Sequence, residues 1–278
     1  MEIKRVVLVL ADISGYTRFM KIHTTALIHA EAIITDLLEA VLNQAEVPLT
    51  LSKLEGDAAF LYAVLDDDRP AASAAQDVLR QVTSFFEAFR AKERELIACD
   101  VCRCDACNNI GQLKLKAFLH VGEAAFKKIR QFEELAGEDV ILIHRLLKNT
   151  IPAKEYILLT DQFYALSGGI GDSPLEARTE EAEGLGAVGV HVYYPARDAA
   201  PLPPRPAPAL PTPNHTDIYP LAKRFNDYAV KRTQGQVEPP QFNHLPNVKF
   251  NRLNLLGYMA GAASNNIAAI MRDRLQKS

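Results

Sequence analysis

RVVLVLADISGY, residues 5–16, begins as an unbroken apolar run and ends in an aspartate, a turn and an aromatic residue. Arg5 to Ala11 is rich in β-branched residues with no polar alternation, the pattern of a central strand covered on both faces. Asp12-Ile13-Ser14-Gly15 closes it. With Lys4 and Arg5 ahead of it, the run superficially suits a signal peptide. It extends only from Val6 to Ala11 and no small-residue cleavage site follows, so a buried strand is the better reading.

From this strand the pattern can be followed outward. Tyr16 to Met20 begins a helical stretch. From His29 to Ala45, the residues Ala30, Ile33, Ile34, Leu37, Leu38, Val41 and Leu42 recur at helical spacing. Leu49 to Glu55 and Ala58 to Val64 read as a hairpin about Gly56-Asp57. A long helix follows Pro70 to about Glu95, with Ala75, Val78, Leu79, Val82, Phe85, Phe86 and Phe89 on one side. Leu113 to His120 reads as a strand ended by Gly122-Glu123, with Ala124 to Ile129 as its hairpin partner. Val140 to Leu147 is helical and Tyr156 to Thr160 is a strand. Asp161 caps a short helix through Leu166, Gly168 to Leu185 is loop, and Val188 to Tyr194 is the last strand. The order β, α, α, β, β, α, β, β, α, β, α, β fits neither a barrel of βα units nor a simple doubly wound sheet. Its first part is two βαβ units sharing one sheet, an α+β ferredoxin-like arrangement.

The chain has 278 residues, 48% of them hydrophobic and 23% charged, enough for a full core without staples. Its 31 basic and 34 acidic residues give a net charge of −3, which offers no whole-chain argument for nucleic acid or an anionic membrane. The most apolar late segment, Leu253 to Met271, is interrupted by Asn254, Ser264, Asn265 and Asn266, so stable membrane insertion is not expected and a cytoplasmic location is. Eight prolines fall between Pro195 and Pro213, the composition of a semi-rigid extended tether. The expected organisation is a domain over residues 1–195, a proline-rich linker over 196–216 and a helical extension over 217–278.

Asp12 ends an apolar strand and Asp57 lies in a hairpin turn. If the two strands are neighbours, both carboxylates leave the same end of the sheet, where a pair can hold divalent ions against a triphosphate. By spacing alone such aspartates are more often caps or turn residues. Neither GxxxxGK[ST] nor HExxH occurs, and the seven histidines read as structural.

The wording around the two acids resembles the class III adenylate and guanylate cyclases. LVLADISGYTRFM (8–20) is similar to their opening strand and Asp-Ile-x-Gly-Phe/Tyr-Thr run. LSKLEGDAAFLYA (51–63) is similar to their Gly-Asp hairpin. KAFLHVGEAAF (116–126), GEDVILIHRLL (137–147) and YILLTDQFY (156–164) follow in the family's order, over about residues 5 to 195. The cysteine-containing form also resembles an uncharacterised bacterial family of cyclase-like proteins with a cysteine-rich insert.

The resemblance implies a class III nucleotidyl cyclase-like fold with a helical C-terminal extension. It implies Asp12 and Asp57 as ligands of Mg²⁺ or Mn²⁺, with the Ile13 carbonyl and the Ser14 and Gly15 amides near metal and phosphates. Lys53 falls on the base-reading Lys of adenylate-forming members, Glu134 on their second base-reading position, and Arg145 on the Arg that steadies the phosphates. The implied substrate is a nucleoside triphosphate, ATP by the Lys53 match, and the implied assembly is a homodimer, with no nucleic-acid partner. One position departs: the family's transition-state Asn maps to Ile141, which cannot hydrogen-bond to ribose.

Cys99, Cys102, Cys104 and Cys107 place four thiols in nine residues. They do not resemble a secreted disulfide framework. The one-residue middle spacing leaves several readings open: a Zn²⁺ site of four thiolates, three thiolates plus His120 or another residue, an iron–sulfur cluster, redox-active thiols, or plain reduced cysteines.

Overall fold

In the computed structural model residues 2–22, 27–66, 68–98 and 109–195 are described. The four cysteines, the proline-rich linker and the helical extension fall outside the described residues. The strand read from RVVLVLA is the centre of the sheet. β1 (Glu2–Ser14) pairs antiparallel with β3 (Ala58–Val64) on one side and β4 (Lys114–Ile129) on the other. β2 (Thr50–Glu55) is the edge beyond β3. Beyond β4 come β6 (Tyr156–Thr160), β8 (Gly186–Tyr193) and the edge strand β7 (Glu176–Ala182), with β5 (Phe132–Ala136) pairing the far half of β4. β4 and β6 run parallel, and the remaining pairs are antiparallel.

The alternation along β1 explains its continuous hydrophobicity. Val7, Val9, Ala11 and Ile13 enter one core, and Val6, Leu8 and Leu10 enter another, each at most 1% exposed. A fully buried side chain of this size contributes about 1.5–3 kcal/mol, so a polar residue anywhere in the run is costly. The first core is roofed by α1 (Tyr16–Ile22), α2 (Leu27–Leu42), α3 (Ala71–Ala98) and α5 (Asp161–Ser167). Val78, Leu79, Val82, Phe85, Phe86 and Phe89 form the buried stripe of α3, as their spacing requires. The second core lies under α4 (Glu138–Arg145), through Val140, Leu142 and Ile143. No helix among the described residues is long and apolar enough to cross a membrane.

Three sequence expectations are corrected. Gly122 does not end a strand, because β4 runs through it to Ile129 and the turn comes at Arg130-Gln131, with Arg130 at φ +57°. Gly122 is there for space: the Asp139 side chain occupies the position a Cβ would take. The stretch assigned to loop contains β7, whose inward residues include Glu180 and Ala182 rather than a hydrophobic series. Glu180 is buried because the Thr150 amide and hydroxyl donate to it, at 2.8 and 2.9 Å, and Arg178 bonds it at 3.2 Å. The cap of α5 is Thr160, whose hydroxyl accepts from the Phe163 amide. Asp161 instead meets His191 at 3.0 Å.

Candidate functional site

The acid end is assembled by main chain. The Ile13 amide donates to the Asp57 carbonyl at 3.1 Å, lacing the end of β1 to the β2–β3 turn. Glu55 pairs with Ala58, so Gly56-Asp57 is a two-residue turn, and Gly56 has φ +69°, which a glycine adopts at no steric cost. Asp12 lies in register with Ala58 on one side and Lys116 on the other. Ser14 ends β1, and the Gly15 carbonyl accepts from the Phe19 amide to start α1.

Both carboxylates are perturbed. Burial raises Asp12, and Lys116 partly opposes it. Asp57 is pushed up to about 6, first by burial and then by the charge of Asp12; its own amide and Lys116 act the other way, and Glu31 adds to the rise. Tyr16 donates to Glu31 at 3.1 Å, which joins α1 to α2 beside the pair. Two partly desolvated, mutually repelling carboxylates are what a divalent cation relieves. Among the described residues no group of three or more His, Cys, Asp and Glu side chains could hold a metal. Two carboxylates suit a hard divalent cation such as Mg²⁺ or Mn²⁺, which is bound through one or two carboxylates and keeps several waters.

A second cluster lies against α4. A shallow groove of about 380 Å³ is lined by Lys53, Glu55, Ile141, His144, Arg145 and Lys148, with Val140. The β2–β3 register shifts between Leu51 and Lys53, near the start of β2, and Lys53 lies over the Phe60 ring, 6.0 Å from its centre. The His144 ring packs edge-on to the same phenyl at 4.9 Å. Lys53 is 3.0 Å from Glu55 and 3.9 Å from Glu134. His144 Nε2 lies 3.1 and 3.0 Å from the two Glu55 oxygens. Burial opposes ionisation of Glu55, but Lys53 and His144 outweigh it and hold the carboxyl below its ordinary range. Arg145 donates to Glu183 at 2.6 Å. The structure thus brings Asp12 to Asp57, and Lys53 to Glu55 and Glu134, while Arg145 is held toward β7–β8.

The sequence of the chain is 33% identical over 158 residues to the uncharacterized protein Rv2561/Rv2562 of Mycobacterium tuberculosis (strain ATCC 25618 / H37Rv), a stretch covering 57% of this chain and 71% of that one. The chain belongs to the family of that protein. A family described as a protein of unknown function (DUF2652) matches residues 34–156. The fold is similar to that in the crystal structure of the adenylyl cyclase CyaB from P. aeruginosa, at 15% identity and a TM-score of 0.50, over 72% of this chain and 98% of that one. The architecture is therefore the α+β, class III cyclase-like fold, with a central sheet and flanking helices.

Within this family member, sequence reasoning missed Glu55, His144 and Lys116. Glu55 was within reach: Lys53 and Glu55 are two apart on one strand, hence on one face. His144 and Lys116 carry no such signal, because only the packing of α4 and the β1–β4 register bring them to their partners. The cysteines lie outside the described residues, and His120, named above beside three thiolates, is engaged at both ring nitrogens. His120 is 1% exposed, and its nitrogens lie 2.9 Å from Thr160 Oγ1 and 2.9 Å from Asp139 Oδ1. Asp139 also accepts from the Glu123 amide at 2.7 Å, so this chain of bonds anchors the start of α4. Burial lowers the His120 pKa against the pull of Asp139.

Proposed function

We propose that this chain binds a nucleoside triphosphate with Mg²⁺ or Mn²⁺ and, as a homodimer, converts ATP to a cyclic nucleotide. The observation that carries the reading is the Ile13–Asp57 bond, which sets two perturbed carboxylates at one end of the sheet. Asp12 and Asp57 would hold the cation, which when bound neutralises phosphate charge and lowers the pKa of the attacking hydroxyl. Lys53 donates to a ring nitrogen of the base, and Arg145, released from Glu183, donates to phosphate oxygens as charge develops. The ribose 3′-oxygen forms a bond to the α-phosphorus, the bond to the β-phosphate oxygen breaks, pyrophosphate leaves, and the hydroxyl proton passes to solvent. The resemblance supplies the dimer, with the acid end of one copy facing the α4 groove of the other.

Ile141 favours a second reading, binding without turnover. It is 52% exposed in the groove and offers no donor to ribose. Incubating the purified protein with ATP or GTP and Mn²⁺, then separating products by chromatography, decides between the two. Cyclic product that disappears in Asp57→Ala supports the enzyme. Nucleotide binding with no product across several metals supports the binding module, and neither binding nor product rejects both.

A further inference from the structure

We propose that Glu55, held in place by His144, is the acceptor that reads the exocyclic amine of the base, in partnership with Lys53; this rests on the nucleotide-binding reading above. By resemblance that role falls to Glu134. The geometry points elsewhere. Glu55 lines the α4 groove with Lys53, and Glu134 is not among the groove's lining residues. Lys53 sits 3.0 Å from Glu55 against 3.9 Å from Glu134.

The hydrogen-bond inventory leaves Glu55 room for a ligand. An ionised carboxylate offers about four acceptor sites. Lys53 and His144 account for three contacts, one from the ammonium and two from Nε2. His144 cannot turn away easily, because its Nδ1 is bound to the Val140 carbonyl at 2.7 Å. Both of its nitrogens are thus engaged by oxygen atoms of this chain. Glu55 is thus a fixed acceptor with spare capacity. The Lys53 ammonium has three donors and gives one of them to Glu55. A fixed acceptor beside a free donor matches an amine next to a ring nitrogen, the edge that adenine presents. Val140 and Ile141 supply the apolar contact for a ring face, which gives the exposed isoleucine a use.

The test pairs a deletion in the ligand with a deletion in the protein. Binding of ATP and of purine riboside triphosphate, which lacks the amine, is measured by calorimetry on the full chain with Mn²⁺. Both are used as 3′-deoxy forms, so that no cyclisation intervenes. In the wild type, loss of the amine weakens binding about ten- to a hundredfold, the range for a bond to a charged acceptor. Glu55→Leu binds the two ligands about equally, His144→Ala narrows the gap, and Glu134→Leu keeps the wild-type ratio. Glu55→Gln, which preserves shape and one acceptor, serves if the leucine variant does not fold, and shrinks the ratio to under roughly tenfold. A wild-type ratio retained in the Glu55 variants, or lost in Glu134→Leu, overturns the assignment. Equal binding of the two ligands by the wild type does the same while leaving nucleotide binding intact. Failure of the wild type to bind either ligand overturns the nucleotide reading itself, and this inference with it.

Discussion

Ile13 and Asp57 are joined by one backbone hydrogen bond, 3.1 Å from the Ile13 nitrogen to the Asp57 carbonyl oxygen. Through it the central strand and the neighbouring hairpin share an end, and burial there raises the proton affinity of two carboxylates. Because Asp57 titrates near 6 in the folded chain and near 3.8 ordinarily, the folded state binds the proton more tightly. Stability contributed by that proton is present at low pH and is lost as pH rises through about 6. Asp57→Asn should therefore raise the melting temperature of metal-free protein at pH 7. Discounted for solvent screening, the gain is about 1–2 kcal/mol, or roughly 2–8 °C. Thermal melts from pH 4 to pH 8 check it, the difference vanishing at the acid end.

The same pair should govern the metal-dependent part of nucleotide binding. Asp12→Ala and Asp57→Ala are each expected to weaken Mn²⁺-dependent ATP binding by roughly a hundredfold, the several kcal/mol that such an ion supplies. Binding measured with chelator present should be nearly unchanged by either substitution. Calorimetric titrations with and without Mn²⁺ read both effects.

Gly122 and Asp139 make a packing prediction. A methyl at residue 122 enters the space of the Asp139 carboxylate and displaces it from His120 and the Glu123 amide. Gly122→Ala should cost roughly 1–3 kcal/mol. Combined with Asp139→Ala it should cost less than the sum of the two, because the clash and the lost bonds share one side chain. Denaturant unfolding of the two single variants and the double variant measures the coupling.

Ile141 tests the chemistry. On the cyclase reading, Ile141→Asn adds to the groove an amide able to donate to ribose. Product formation from ATP and Mn²⁺ should rise by about 10²-fold, the scale of one preorganised donor in a transition state. Chromatography of cyclic product, normalised to nucleotide affinity, separates a gain in turnover from a gain in binding.

Much of this was legible in the primary structure, and for a physical reason. RVVLVLA can satisfy its side chains only if both faces are covered, so the central strand follows from hydrophobicity alone. The stripe of α3 and the Gly-Asp hairpin follow from periodicity and turn chemistry in the same local way. Asp12 and Asp57 stand at the ends of such local signals, where spacing alone reads them as caps or turn residues, and only the resemblance in the wording around them implied a metal role. β7 was not legible, because its buried side chains include Glu180, whose cost is met by Thr150, a residue about 30 positions earlier in the chain. Gly122 looked like a strand end because a missing side chain marks either a turn or a close approach, and only the position of Asp139 says which. Glu55 and His144 are 89 residues apart, and neither carries a mark of the other. Local pattern determined the strands, the hairpin and the acids at their ends. The tertiary structure alone decided which carboxylate faces Lys53, because that depends on how α4 packs over the sheet, and packing is set by distant residues acting together.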